Sequence, residues 1–305
     1  MSVAISVIIP FQNETDELQH CLNGLQGQSF QDFEIILVPD GASIQALHVA
    51  NGCAAKNYTV LENTEAKGQS IARQRAIDIA KGQFIAIQDA DDVSQPKRFE
   101  KQMEQFRNNP TLDVLGTAAY ITEKEYEWDV YQSHNHIEQQ CLLNNPMIHS
   151  SVLMKKEVFK SYAYNPVFDT TEDYDFFSLV IKEFRFGNLA EPLISYKLPL
   201  SNKPSALGQR MKARIIRERN NQSVPEVLMH SFHHFCELSN PIETGELKAL
   251  AAVFKNTKAA SMFNDQMMRY ALKYKPKWNA FQKQKTWHKS VLMRRASVLK
   301  RILIS

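Results

Sequence analysis

Short, nearly all-apolar runs alternate with amphipathic stretches through the first third of the chain. Residues 4–9, Ala-Ile-Ser-Val-Ile-Ile, form a β-branched run ended by Pro10, the pattern of a buried strand. Leu18, Cys21, Leu22 and Leu25 then recur at three- and four-residue spacing, which predicts a helix over 15–25 with Asn13 or Thr15 as its cap. Residues 33–38 predict a second buried strand, stopped by Pro39-Asp40-Gly41. A helix over 44–53, a short strand over 58–61, a helix over 70–80 closed by Gly82, and a fourth strand over 84–88 follow. Strands that are apolar on both sides and alternate with helices predict an α/β fold, a Rossmann-like, mostly parallel sheet with helices on both faces. Ligands of such sheets bind beyond the carboxyl ends of the strands. That rule singles out 10–14, 39–42 and 89–92, all polar or turn-rich.

The second half is more mixed. Strands are predicted over 112–121 and 151–154, a helix over 174–184, and a loop over 199–204. From Ala206 the pattern is helical, over 211–220, 224–238, 246–256 and 261–274. A boundary near Ser205 therefore divides residues 1–205 from a C-terminal helical region, 206–305.

Charge adds one asymmetry. The net charge of +3 gives no reason to expect nucleic acid as a partner, but no acidic residue follows Asp265. Basic residues from Lys273 to Arg301 interleave with Trp278, Phe281, Trp287, Leu292, Ile302 and Leu303. Two readings stay open: a basic amphipathic tail lying on an anionic membrane surface, or a helix packed on the preceding domain. Cys21, Cys53, Cys141 and Cys236 form no CxxC pair, and the apolar run at the N-terminus is too short for a signal peptide or a membrane span. The expectation is a cytoplasmic protein, peripheral on the inner face of the membrane if the tail binds lipid.

Asp89, Asp91 and Asp92 crowd the end of the fourth strand. Carboxylates this close repel unless a cation or protons compensate, and oxygen ligands of this kind suit Mg²⁺ or Mn²⁺. The competing reading is local: Asp92 or Ser94 caps a helix starting near Pro96, and Asp89 is a turn residue. Glu172-Asp173, taken alone, reads as the acidic first turn of a helix capped by Thr170 or Thr171. His230, His233 and His234 have neither an HExxH frame nor a Cys partner and read as packing or surface residues.

The ordered set of segments resembles the family 2 inverting glycosyltransferases of GT-A fold. The residues that carry the resemblance are Val7-Ile8-Ile9-Pro10-Phe11-Gln12-Asn13-Glu14, Phe33 to Ala42, Gly68-Gln69-Ser70-Ile71-Ala72-Arg73, and Gly82 to Asp92 with its DxD element. Thr170 to Phe177 resembles the family's "ED" motif, and His149-Ser150-Ser151 its "H-x-S" element. The resemblance implies that Pro10, Phe11 and Glu14 line the nucleotide pocket and that Asp40 accepts the ring N–H of uracil. Arg73 would lie near the base or diphosphate. Asp89, Ala90 and Asp91 would hold the nucleotide-sugar, with Asp89 and Asp91 on the metal and Asp91 the more direct ligand. Asp173 is then the catalytic base with Glu172 in support, and His149 sits on the acceptor or metal side.

The family's "Y-R-x-H" loop is altered here, with Lys197 for the Arg and no His, and Lys203 or Ser205 as possible substitutes. The implied activity is metal-dependent, inverting transfer of one sugar from a UDP-sugar to a saccharide or lipid-linked acceptor. A nucleotidyltransferase would need a Gly- and Lys-rich phosphate loop where Phe11-Gln12-Asn13-Glu14 stands. A non-catalytic sugar- or nucleotide-binding protein of the same fold is the other alternative, and the intact acidic motifs argue against it.

Overall fold

The computed structural model describes residues 3–53, 57–122, 126–128, 130–141, 144–168, 171–198, 242, 244–254 and 266. The expected helices over 211–220 and 224–238, the three histidines at 230–234, Lys203, Ser205 and the basic tail lie outside them, as does the expected boundary near Ser205. The chain divides into two compact units, residues 1–223 and 224–305.

The first unit opens β1 (Ile5–Phe11), α1 (Asp16–Gln26), β2 (Phe33–Pro39), α2 (Ile44–Asn51), β3 (Tyr58–Val60), α3 (Gln69–Ile79), β4 (Phe84–Ile87). Each of these matches a segment expected from the hydrophobic pattern. All seven residues of β1 and all seven of β2 are buried, so both faces of the sheet are covered there. Leu18, Cys21, Leu22 and Leu25 form the buried face of α1, as their spacing requires.

The chain continues through β5 (Val93–Ser94), α4 (Arg98–Asn108), β6 (Val114–Ile121), β7 (Tyr126–Trp128), α5 (His134–Cys141), a single helical turn at His149–Ser151, β8 (Leu153–Lys155), α6 (Glu172–Val180) and β9 (Phe186–Tyr196). The described strands make one sheet in the order β3-β2-β1-β4-β8-β6-β9-β5, with β7 paired to β6. β1 to β4, β6 and β9 run one way; β5, β7 and β8 run the other.

Two of these elements depart from the expected pattern. β9 was not predicted, because Asn188, Glu191 and Pro192 interrupt its apolar run. Its pairing with β6 shifts register on both sides of Ala118, whose partner is Pro192, and such an irregularity is where a strand tolerates a residue that cannot donate to the ladder. Asp92 and Ser94 do not cap α4: Lys97 occupies its N-cap position, Asp92 Oδ1 accepts from the Lys197 N–H, and Ser94 Oγ donates to Gln88.

In the second unit, α7 (Thr244–Phe254) falls where a helix over 246–256 was expected. Leu247, Leu250 and Phe254 are buried along one side of it at helical spacing.

Candidate active site

The carboxyl ends of β1, β2 and β4 lie side by side, because β1 pairs with both others in parallel register. Asp40 follows β2 and is buried. Its Oδ1 accepts from the Lys67 N–H at 2.7 Å, and its Oδ2 accepts from the Gly68 N–H at 3.2 Å and Gln12 Nε2 at 3.1 Å. The carboxylate thus satisfies free amides just before α3, where helix N-termini leave them unpaired. Gly68 makes this possible: its φ of 94° is open to glycine and strained for other residues. Glu14 turns back on its own loop and accepts from the Gln12 N–H at 2.6 Å.

The acidic turn after β4 holds three carboxylates in three different states. Asp89 is locked: Oδ1 accepts from Arg73 Nη2 at 2.8 Å and Oδ2 from Ser150 Oγ at 2.8 Å. Burial opposes its charge, but Arg73 outweighs it and holds the carboxyl below its usual range. Asp92 is buried and pushed well above that range, first by burial and then by the charge of Asp89. Asp91 is half-buried and makes no hydrogen bond to another described side chain. Burial, then the charges of Asp89 and Glu14, push it up to about 6. A desolvated carboxylate among other carboxylates is a place where a cation is favoured.

Arg73 ties this turn to α6. Its side chain is 1% exposed, donates from Nη1 to Glu172 Oε1 at 2.6 Å and from Nη2 to Gln69 Oε1 at 2.7 Å, and lies over the ring of Tyr164 at 5.8 Å. Glu172 opens α6, and Asp173 follows it. Asp173 Oδ2 accepts from Asn145 Nδ2 at 2.5 Å and Oδ1 from the Tyr174 N–H at 2.7 Å. Burial, then the neighbouring charge of Glu172, raise Asp173 to about 7. Thr171 sits at the N-cap without a capping side-chain bond, so the helix start is left to its acidic first turn.

Of the expected site residues, Pro10, Phe11, Arg73, Ala90 and His149 are buried. Pro10 and Phe11 are the last residues of β1, and Phe11 belongs to the core. Ala90 packs in the same core. Arg73 is enclosed between Asp89 and Glu172. His149 is 7% exposed, bonded through Nε2 to Tyr164 Oη at 2.9 Å, and packed edge-on against Phe177. Burial, then Arg73, bring its pKa down to about 3.

The structure also adds residues that no local pattern marked. Ser150 fixes Asp89, Asn145 fixes Asp173, and Tyr164 backs Arg73. All three act across 15 or more positions of sequence, beyond the reach of motif spacing. The "H-x-S" element was the nearest signal, and its working hydroxyl toward Asp89 is Ser150.

Among known proteins, the Escherichia coli O-antigen biosynthesis glycosyltransferase WbnJ is 29% identical over 248 residues, 76% of this chain and 95% of its own length. The uncharacterized glycosyltransferase MJ1057 of Methanocaldococcus jannaschii is 26% identical over 222 residues, 69% of this chain and 76% of its own. Among solved structures, S. aureus TarS 1–349 in complex with UDP-GlcNAc matches with a TM-score of 0.60 at 16% identity, covering 93% of both chains. The mannosyltransferase PcManGT from Pyrobaculum calidifontis, in complex with GDP-Man and Mn²⁺, matches with a TM-score of 0.56 at 16% identity, covering 93% of this chain and 84% of its own. At such identity the likeness speaks for the fold, which is GT-A. The sequence profile described as Glycosyl transferase family 2 matches residues 6–164, just over half of the chain, from β1 through Tyr164. That span holds Asp40, Arg73 and the acidic turn, and by it the chain belongs to glycosyl transferase family 2 and is a glycosyltransferase.

Proposed function

We propose that this enzyme transfers one sugar from a UDP-sugar, a UDP-hexose or UDP-N-acetylhexosamine, to a saccharide or lipid-linked acceptor, with inversion and with a divalent metal. The observation that carries the reading is the chain Asp89–Arg73–Glu172, which joins the acidic turn to the helix start bearing Asp173. Donor chemistry and proton transfer call for separate carboxylates, and these contacts tie Asp89 to the helix that bears Asp173.

Asp173 takes the base role. As the acceptor oxygen bonds to the anomeric carbon, its proton passes to the Asp173 carboxylate and the bond to the diphosphate breaks, releasing UDP. An α-linked donor gives a β-linked product. A pKa near 7 suits a group that must be ionised before the step and protonated after it. Asn145 and the Tyr174 amide hold the carboxylate still, and Arg73 pairs with Glu172 beside it.

Asp91 is the residue that would hold the metal, with Asp89 turned aside by Arg73 and Ser150. Among the described residues no group of three or more His, Cys, Asp or Glu is placed to hold an ion. That donor set fits Mg²⁺ or Mn²⁺ bound by one protein carboxylate together with diphosphate and water, as is usual for these ions. When bound, the ion neutralises charge on the departing diphosphate. The reading of WbnJ as an O-antigen enzyme supports a place in bacterial surface-polysaccharide or glycolipid synthesis, and the basic tail supports an acceptor met at an anionic membrane. Asp40 would serve uridine selectivity by shaping the loop at 65–68.

Thermal shift with UDP, GDP and each with Mn²⁺ tests the donor assignment. A shift with UDP that grows with Mn²⁺ is expected. A response to GDP alone, or to neither nucleotide, overturns it.

A further inference from the structure

Arg98, the first residue of α4, is completely buried. Its guanidinium makes five hydrogen bonds and none reaches a carboxylate. Nη1 donates to Gln88 Oε1 at 2.8 Å and Ser94 Oγ at 2.9 Å, Nη2 to the carbonyls of Ile87 at 3.1 Å and Val152 at 3.3 Å, and Nε to Gln102 Oε1 at 3.3 Å. A buried cation with only neutral partners is expensive, and an apolar side chain could fill the same volume. Packing therefore gives no reason for it.

Its partners do. Gln88 Nε2 donates to the carbonyls of Asp89 at 3.1 Å and Asp92 at 3.0 Å, the two ends of the acidic turn. Arg98 and the hydroxyl of Ser94 hold the other side of that amide. The two carbonyls on Nη2 belong to the end of β4 and to the strand end beside Ser150, the hydroxyl that fixes Asp89. Gln102 extends the frame, donating to the Ser151 carbonyl at 2.9 Å. Burial lowers the Arg98 pKa to about 9, against the opposing pull of Cys21, Asp92 and Asp89, so at neutral pH it remains a cation beneath the aspartates.

We propose that Arg98 is a positioning residue of the donor site, which through Gln88 fixes the Asp89–Asp92 turn and with it the Asp91 carboxylate that would meet a metal-bound diphosphate. The inference rests on the donor reading above. Outer supports of a metal site typically alter metal affinity about 10–100-fold, and a five-bond guanidinium cannot be reproduced by the compact ammonium of lysine.

The test is calorimetric titration of the full chain with UDP, with and without Mn²⁺, alongside unfolding temperature. Arg98→Met and Gln88→Met are each expected to lose about tenfold or more of Mn²⁺-dependent UDP affinity and to change metal-free UDP binding much less. Arg98→Lys keeps the charge and is expected to recover only part of the loss. If Arg98→Met does not fold, Gln88→Met decides, since it leaves the guanidinium in place. Wild-type affinity for UDP with Mn²⁺ in Gln88→Met overturns the proposal, as does an equal loss with and without metal. Failure of the wild-type chain to bind UDP with Mn²⁺ overturns instead the donor reading, and this inference with it.

Discussion

Arg73 Nη1 and Glu172 Oε1 meet at 2.6 Å, although 99 positions separate them in sequence. The contact joins α3 to the start of α6, and the same guanidinium holds Asp89 from its other end. One buried cation thereby sets the relative position of the donor turn and the candidate base.

Breaking it should cost both stability and activity. Removing one partner of a buried ion pair typically costs about 3–5 kcal/mol, so Arg73→Met is expected to lower the unfolding temperature clearly and to abolish transfer. Arg73→Lys keeps the charge but cannot span both carboxylates, and is expected to remain inactive while regaining part of the stability. Calorimetry of the two variants checks this. Unchanged unfolding in Arg73→Met would contradict the ion pairs.

The two outer aspartates of the DxD element should behave differently. The Asp91 pKa is raised, so its ionised form costs folded-state stability above about pH 6, a cost that fades as pH falls to the ordinary carboxylate range. Asp91→Asn at pH 7.5 should therefore match or exceed the wild-type unfolding temperature while losing Mn²⁺-dependent UDP binding. Asp89 is lowered, so its stabilisation is present above the ordinary carboxylate pKa and lost on acidification. Asp89→Asn should unfold at lower temperature. Thermal scans with and without UDP plus Mn²⁺ separate the two.

The rate should rise with pH through about 7, as Asp173 ionises. Glu172 raises that value by its charge, so Glu172→Gln should move the acid limb to lower pH, whatever it does to the maximum rate. A pH–rate profile of the variant reads the shift directly. An upward shift contradicts the assignment.

Gly68→Ala places a Cβ on a backbone with φ of 94°. Strain of this kind costs about 1–3 kcal/mol, and relief would move the amides that Asp40 accepts. The expected result is lower stability and weaker UDP affinity, measured by denaturant unfolding and titration. Unchanged values would mean that the turn relaxes freely.

Much of this was legible in the sequence, for identifiable reasons. β1, β2 and β4 are buried on both faces, so their composition alone betrays them, and the acidic residues after β4 and at the start of α6 stand out against apolar runs. β9 was hidden because a register shift admits Pro192 and polar residues into a strand. Within the site, carboxylates were visible, but what each one binds was not. Asp40, Asp89 and Asp91 look alike in sequence. One satisfies helix amides, one is ion-paired, and one is free, and the difference comes from Lys67, Arg73 and Ser150. Arg73 and Ser150 lie 16 and 61 positions from Asp89.

Release of UDP from a panel of UDP-sugars, with Mn²⁺ and cell-derived acceptors, compared between wild type and Asp173→Asn, tests the central claim most directly. The account predicts acceptor-dependent UDP release by the wild-type enzyme. It predicts a loss of about 10²–10⁴-fold in Asp173→Asn, with UDP affinity nearly intact. No release from any UDP-sugar, or transfer that survives in Asp173→Asn, would contradict it.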